Sequence, residues 1–209
     1  MANLSVKCFK QEMGSSCGLA CLRMVFDYLG DSVTEKELAK DIKIHSYGTH
    51  ETDLGLVALK RGFRVTSYVF HLNLFGPLKL PFGTKITTKH LKSIKLAPKD
   101  KNTYESISKF IKSGGSVIWD TPKISTIESS LDKKNPCIVS INTSALNDFW
   151  RNWDNGHYLT VIGSEKDKFT VLDPSIFAKP QYSIEKDIFL PAWAINSKLG
   201  SGYLLVIEK

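Results

Sequence analysis

No stretch of this chain approaches the run of about eighteen apolar residues that a membrane-spanning helix needs. Residues 1 to 20 carry Lys7, Lys10 and Glu12 and lack the unbroken apolar core of a signal peptide. The expectation is a soluble protein, cytoplasmic or secreted by a signal-peptide-independent route. Cysteine is scarce as well. Cys8, Cys17, Cys21 and Cys137 show no zinc spacing, because Cys17 and Cys21 are followed by no second pair, and a reducing compartment fits them best. His45, His50 and Asp53 lie close in sequence, but they match no ligand motif and read as polar loop residues. His71 and His90 have no visible partner. No metal and no cofactor are expected.

What the chain does hold is a core. With 209 residues and 42% hydrophobic content it reads as one domain over 1–209, carrying a lysine-rich insertion at about 71–102. The stretch from Gln11 to Gly30 organises it. Gly14, Ser15 and Ser16 lead into an apolar run free of proline, so Cys17 is placed on the first turn of a buried helix that Gly30 terminates. Free N–H groups and the positive dipole end at that position favour thiolate over thiol. Gln11, six residues upstream, is placed to return beside the sulfur and donate its amide to an oxyanion. Cys21, one turn on, reads as packing.

Further along, Thr34 with Glu37 forms a capping box before a short helix, and a third helix runs from near Thr52 to Gly62. Arg64 to Phe70 reads as a strand. Between 71 and about 102, Gly76, Pro77, Pro81, Gly83 and Pro98 punctuate short apolar pieces. Residues 79 to 112 hold nine lysines against Asp100 and Glu105, a local excess equal to the whole net charge of +7. Such a patch suits an acidic protein, an anionic membrane or nucleic acid, or is a solvated face, and no ordered nucleic-acid motif accompanies it. Helices are predicted from Tyr104 to Lys112 and, behind a Ser125/Glu128 capping box, to about Lys133. Pro136 to Ile141 reads as a buried strand with Cys137 in the core. A loop rich in Asn and Trp spans 147 to 155, strands follow at 156–163 and 168–173, and the tail adds a helix after Ser183 and a strand near Tyr203 to Ile207.

The two strands at 156–163 and 168–173 carry the remaining chemistry. Paired antiparallel around residues 164–166, they set position i opposite position 330 − i, which puts His157 opposite Asp173 on one face. Asp173 would then hold one imidazole nitrogen protonated and aim the other at the Cys17 sulfur.

Gln11 to Gly30, the Gly156-His157-Tyr-Leu-Thr-Val segment and Asp173-Pro174 resemble the bacterial double-glycine leader peptidases. These are the papain-like domains usually fused to bacteriocin-exporting ABC transporters, together with their stand-alone relatives. The resemblance covers residues 8 to 70 and about 135 to 175. It implies an α+β, papain-like cysteine protease fold, with an N-terminal helical part whose central helix carries the nucleophile and packs on a C-terminal antiparallel sheet. It assigns catalytic roles to Cys17, His157, Asp173 and Gln11. The chain departs from the family in lacking a transporter segment and in carrying the lysine-rich insertion. More distantly, phytochelatin synthases and some cysteine-protease toxins and effectors use similar Cys-Gly-Leu-Ala helix starts.

Three readings follow. The first is a cysteine peptidase or amidase acting on a protein or peptide substrate, an acidic one being suited to the basic segment. The second is an acyltransferase or transpeptidase using the same acyl-enzyme, and the third a non-catalytic module that binds through the lysines.

Overall fold

The computed structural model describes residues 3–42, 44–45, 48–146, 156–195 and 201–209, so the loop predicted at 147–155 lies outside the described residues. Helix α1, Cys17–Tyr28, begins at the cysteine and buries Leu19, Leu22, Val25 and Phe26. The chain turns out of it at Gly30, whose φ of 86° is a left-handed value that costs glycine nothing. Helix α2, Glu35–Leu38, starts at a complete capping box in which Thr34 and Glu37 each satisfy the other's backbone N–H. Helix α3, Glu51–Lys60, and strand β1, Arg64–His71, follow as the periodicity predicts.

Residues 72–100 fold into short pieces. They are helix α4 (Leu72–Phe75), a 3₁₀ turn (Gly76–Leu78), strand β2 (Thr84–Ile86), helix α5 (Thr88–Lys92) and a 3₁₀ turn (Pro98–Asp100). Leu74, Phe75, Ile86 and Leu91 reach the core from this segment. After it come α6 (Lys101–Lys112), β3 (Ser116–Trp119), α7 (Ile124–Asp132), β4 (Cys137–Asn142), β5 (Gly156–Ser164), β6 (Lys168–Leu172), β7 (Gln181–Glu185), α8 (Lys186–Ala194) and β8 (Ser201–Glu208).

The strands form one sheet in the order β2-β3-β1-β8-β4-β5-β6-β7. β1 and β3 run parallel, and every other neighbouring pair is antiparallel. The architecture is the expected α+β, papain-like one, but the sheet extends into the N-terminal half and is not wholly antiparallel. Successive residues of β8 divide the core. Leu205 and Ile207 join Leu22, Phe26, Leu54 and Phe110, whereas Leu204 and Val206 join Ile127, Phe169, Phe189 and Trp193. That alternation places α1, α3 and α6 on one face and α7 and α8 on the other.

Two local expectations fail. The Ser125/Glu128 capping box does not form: α7 starts two residues earlier, at Ile124 behind Lys123, with no side-chain cap. Glu128 instead takes Lys186 Nζ at 2.7 Å and Ser164 Oγ at 3.2 Å, a long-range charge partner winning over a local one. The β5–β6 register also differs. Thr160 pairs with Leu172 and Val161 with Val171, so the pairing sum is 332, and it slips to 333 beyond a bulge between Val161 and Gly163. A shift of two preserves the side-chain alternation, so His157 and Asp173 still meet, diagonally across the end of the hairpin.

Candidate active site

Cys17 is held from both sides of its helix start. Ser16 occupies the N-cap position, yet its hydroxyl turns back to the Met13 carbonyl at 2.7 Å and accepts the Met13 N–H at 3.2 Å. No side chain therefore caps α1, and its first N–H groups stay available to an anion. The lead is pinned from beneath by the buried carboxylate of Glu35, which accepts the Glu12 N–H on both oxygens at 3.2 and 3.1 Å. Glu12 in turn pairs with Arg23 at 2.7 Å, whose guanidinium lies over the Phe9 ring.

His157 opens β5, opposite Ile141 of β4. Its Nε2 lies 2.9 Å from Asp173 Oδ1, which leaves Nδ1 as the nitrogen that bonds the Cys17 sulfur. Asp173 is fully buried. It also accepts the Ser175 N–H at 2.8 Å on Oδ1 and the Tyr182 hydroxyl at 2.8 Å on Oδ2, so both oxygens are fixed.

The electrostatics follow from this geometry. Burial pushes the Cys17 thiol up, but the hydrogen bond and charge of His157, then the N–H groups of Tyr158 and Gly18, outweigh it and hold the thiol below its ordinary range. Burial also disfavours the His157 imidazolium, yet hydrogen bonds to Asp173 and Cys17 push its pKa up to about 9. The other cysteines go the opposite way. Burial raises Cys8, puts Cys21 well above a normal thiol, and pushes Cys137 up to about 12. Only at Cys17 does a facing imidazole reverse the effect.

Gln11 sits in the lead with its backbone N–H on the Pro174 carbonyl at 2.8 Å. Its side-chain Nε2 donates to the Met13 carbonyl at 3.0 Å. The structure thus brings Cys17, His157 and Asp173 together and sets Gln11 on the adjoining rim. The sequence reading missed three supporting residues. Tyr182 carries no local signal, because β7 buries only Ile184 and lacks the alternation that marks a strand. Ser175 does, since an aspartate two residues before a backbone N–H is the pattern of an Asx turn. Lys10 is the third: its Nζ reaches the carbonyls of Asp173, Ser175 and Ala178 at 3.0, 2.7 and 2.9 Å. His45 and His50 stack edge to face at 5.9 Å, and Asp53 accepts the Ser106 hydroxyl at 2.6 Å.

A cysteine at the head of a buried helix, facing a histidine at the start of a strand in an α+β sheet, defines the papain-like cysteine peptidase class. The model of the Peptidase_C39 like family matches residues 3–201, and the chain belongs to that family of cysteine peptidases. Three solved structures share the fold. The peptidase domain of Streptococcus ComA, a bifunctional ABC transporter of a quorum-sensing pathway, is 17% identical with a TM-score of 0.54, covering 100% of this chain and 98% of that one. A double-glycine-motif protease from an AMS/PCAT transporter, solved with its leader peptide, is 14% identical with a TM-score of 0.54, over 99% and 94%. A protein described as a C39-like peptidase from Bacillus anthracis is 14% identical with a TM-score of 0.60, over 100% and 97%. No curated protein sequence gives a significant match. Among the described residues no helix is long and apolar enough to cross a membrane.

Proposed function

We propose that this cysteine peptidase hydrolyses a peptide or amide bond through an acyl-enzyme on Cys17, with His157 as general acid and base and Asp173 as its orienting partner. The observation that carries this reading is the 2.9 Å contact between His157 Nε2 and Asp173 Oδ1, with the other ring nitrogen on the Cys17 sulfur. The thiolate attacks the carbonyl carbon, the imidazolium protonates the leaving amine, and the neutral imidazole then takes a proton from the water that releases the acid. The oxyanion would be met by the Cys17 N–H and the Gln11 amide, which swings off the Met13 carbonyl when substrate binds. A donor in such a position is worth about 3 kcal/mol, so Gln11→Ala should lower kcat by about two to three decades. Unimpaired turnover of that variant would remove Gln11 from the role.

The likeness to a double-glycine-motif protease solved with a leader peptide favours a peptide substrate of the leader type. The nine lysines between 79 and 112 are all exposed and favour an acidic one, whose cleavage should weaken with added salt. In this reading residues 1–209 are one papain-like domain, and 71–102 is its insertion. The test is alkylation of Cys17 by iodoacetamide against pH, followed by peptide mass spectrometry. Reaction well below pH 7, faster than at Cys8, Cys21 and Cys137 and lost in His157→Ala, is the expected result. Equal reactivity of all four cysteines would sink the proposal.

A further inference from the structure

Among the described residues the two most exposed large apolar side chains are Phe177, at 76%, and Ile176, at 62%, and they are neighbours on the loop that leaves Asp173. Exposed apolar residues scattered singly need no explanation, but an adjacent pair beside a reaction centre does. This loop is also fixed in place. Lys10 Nζ sits inside it on three carbonyls, Ser175 N–H donates to Asp173 Oδ1, Phe177 N–H donates to Ser175 Oγ at 3.3 Å, and Asp173 N–H closes the loop on the Pro180 carbonyl at 3.0 Å. The other edge of the cleft is tied to it by the Gln11–Pro174 bond. Two residues beyond Gln11 lies Met13, 39% exposed. A backbone fixed in this way loses little further freedom when a ligand packs on its side chains.

Chemistry says which part of a substrate meets this rim. His157 must deliver its proton to the departing amine, so the leaving portion of the substrate lies on the His157 side of the Cys17 sulfur. The Asp173 loop begins behind that imidazole and runs to Gln11. Gly48 and Thr49 approach Ser15 and Gly18 and so crowd the start of α1 next to Cys17. We propose that Ile176 and Phe177, with Met13, form the subsite for the leaving-group side of the substrate, and that it takes an apolar residue directly after the scissile bond. This rests on the acyl-enzyme reading above and adds to it a specificity on the side that departs.

Nucleophile partitioning tests it. Benzyloxycarbonyl-glycine p-nitrophenyl ester acylates a competent thiol and releases p-nitrophenol. An added amine then attacks the thioester carbonyl, a C–N bond forms as the C–S bond breaks, the amine proton passes to His157 and the thiolate is regenerated. The amine occupies the leaving-group side, so the ratio of amide to acid product reports its binding there, and differences in acylation rate cancel. Phenylalaninamide and leucinamide should intercept the acyl-enzyme about tenfold better than glycinamide, as expected for partial burial of one apolar side chain. The double variant Ile176→Ser/Phe177→Ser should flatten that preference to within about twofold. Phe177→Lys should turn it towards aspartic acid amide. Release of p-nitrophenol with no preference among amines, or a preference that survives both variants, overturns the subsite alone. No release dependent on Cys17 overturns the acyl-enzyme reading and the subsite with it.

Discussion

Three donors converge on the carboxylate of Asp173, and one of them, His157, is thereby kept charged in a place where burial alone would neutralise it. In the proposed mechanism the working form is a thiolate beside an imidazolium, a form bounded by two titrations. Cys17 loses its proton below the ordinary thiol range, and His157 keeps its own until about pH 9. Hydrolysis should therefore rise on the acid side as the thiolate forms and fall as pH passes about 9, whereas alkylation of Cys17 should not fall there. A profile of kcat/KM beside the alkylation rate checks this; parallel loss of both above pH 9 would contradict it. A second buried group titrates out of its range. Glu51, 2% exposed with no partner on Oε1, is pushed up to about 8 by burial, against the opposing N–H groups of its own residue and Thr52. Its folded-state pKa is raised, so the unfolded chain releases the proton first and stability is lost as pH climbs from the usual carboxylate range to about 8. Glu51→Gln should unfold several degrees higher than the parent protein at pH 9 and no differently near pH 4, by thermal melts. At this scale the sequence places His157 beside Asp173 because strand alternation survives an even register shift, and it joins Cys17 to them through the family resemblance. It is silent on Tyr182, whose contact depends on a strand that carries little pattern.

Helix α1 is legible because its stop and its apolar run are local properties, and α2 because both halves of its capping box lie three residues apart. β2, β3 and β7 are not legible in this way. β2 and β3 are three and four residues long, and β7 buries only Ile184 of its five residues, too little alternation to register as a strand. The α7 capping box shows the converse error, a correct local signal overruled by Lys186. One feature of α1 acts beyond the helix. A Cβ at Gly18 would meet Thr49 Oγ1 at 2.6 Å, Leu54 Cδ1 at 3.0 Å and Tyr158 Cδ2 at 3.2 Å, so the helix lies directly against the 48–50 wall and the strand bearing His157. Alanine would gain about 1 kcal/mol of helix propensity. Overpacking at three contacts costs about 1–3 kcal/mol. Gly18→Ala should lower the urea midpoint and slow Cys17 alkylation at pH 6; an unchanged midpoint would mean that the wall yields freely.

Across the molecule, Cys17 lies in the N-terminal half while His157 and Asp173 lie in the C-terminal half, and β8 joins the strands on either side, β1 and β4. The α+β, papain-like arrangement is legible through the resemblance carried by Gln11 to Gly30, the segment from Gly156 to Val161 and Asp173-Pro174. The parallel β1–β3 pair is not, since nothing local tells a strand which distant partner it will take. Leu205 lies at the centre of this junction, fully buried, level with Ser67 of β1 and Ile138 of β4. Leu205→Ala should cost about 2–5 kcal/mol in urea unfolding, and fluorescence and circular dichroism should still report one shared transition. Two separated transitions would show that the halves are held together by something other than this strand. The position of β8 also governs the timing of synthesis. The strand that closes the middle of the sheet is made after all the others, so β1 and β4 leave the ribosome each with one hydrogen-bonding edge bare. Until residues 201–208 emerge, the nascent chain carries two open templates for pairing with a neighbour, and its exposure to misassembly is set by how quickly that last strand finds both.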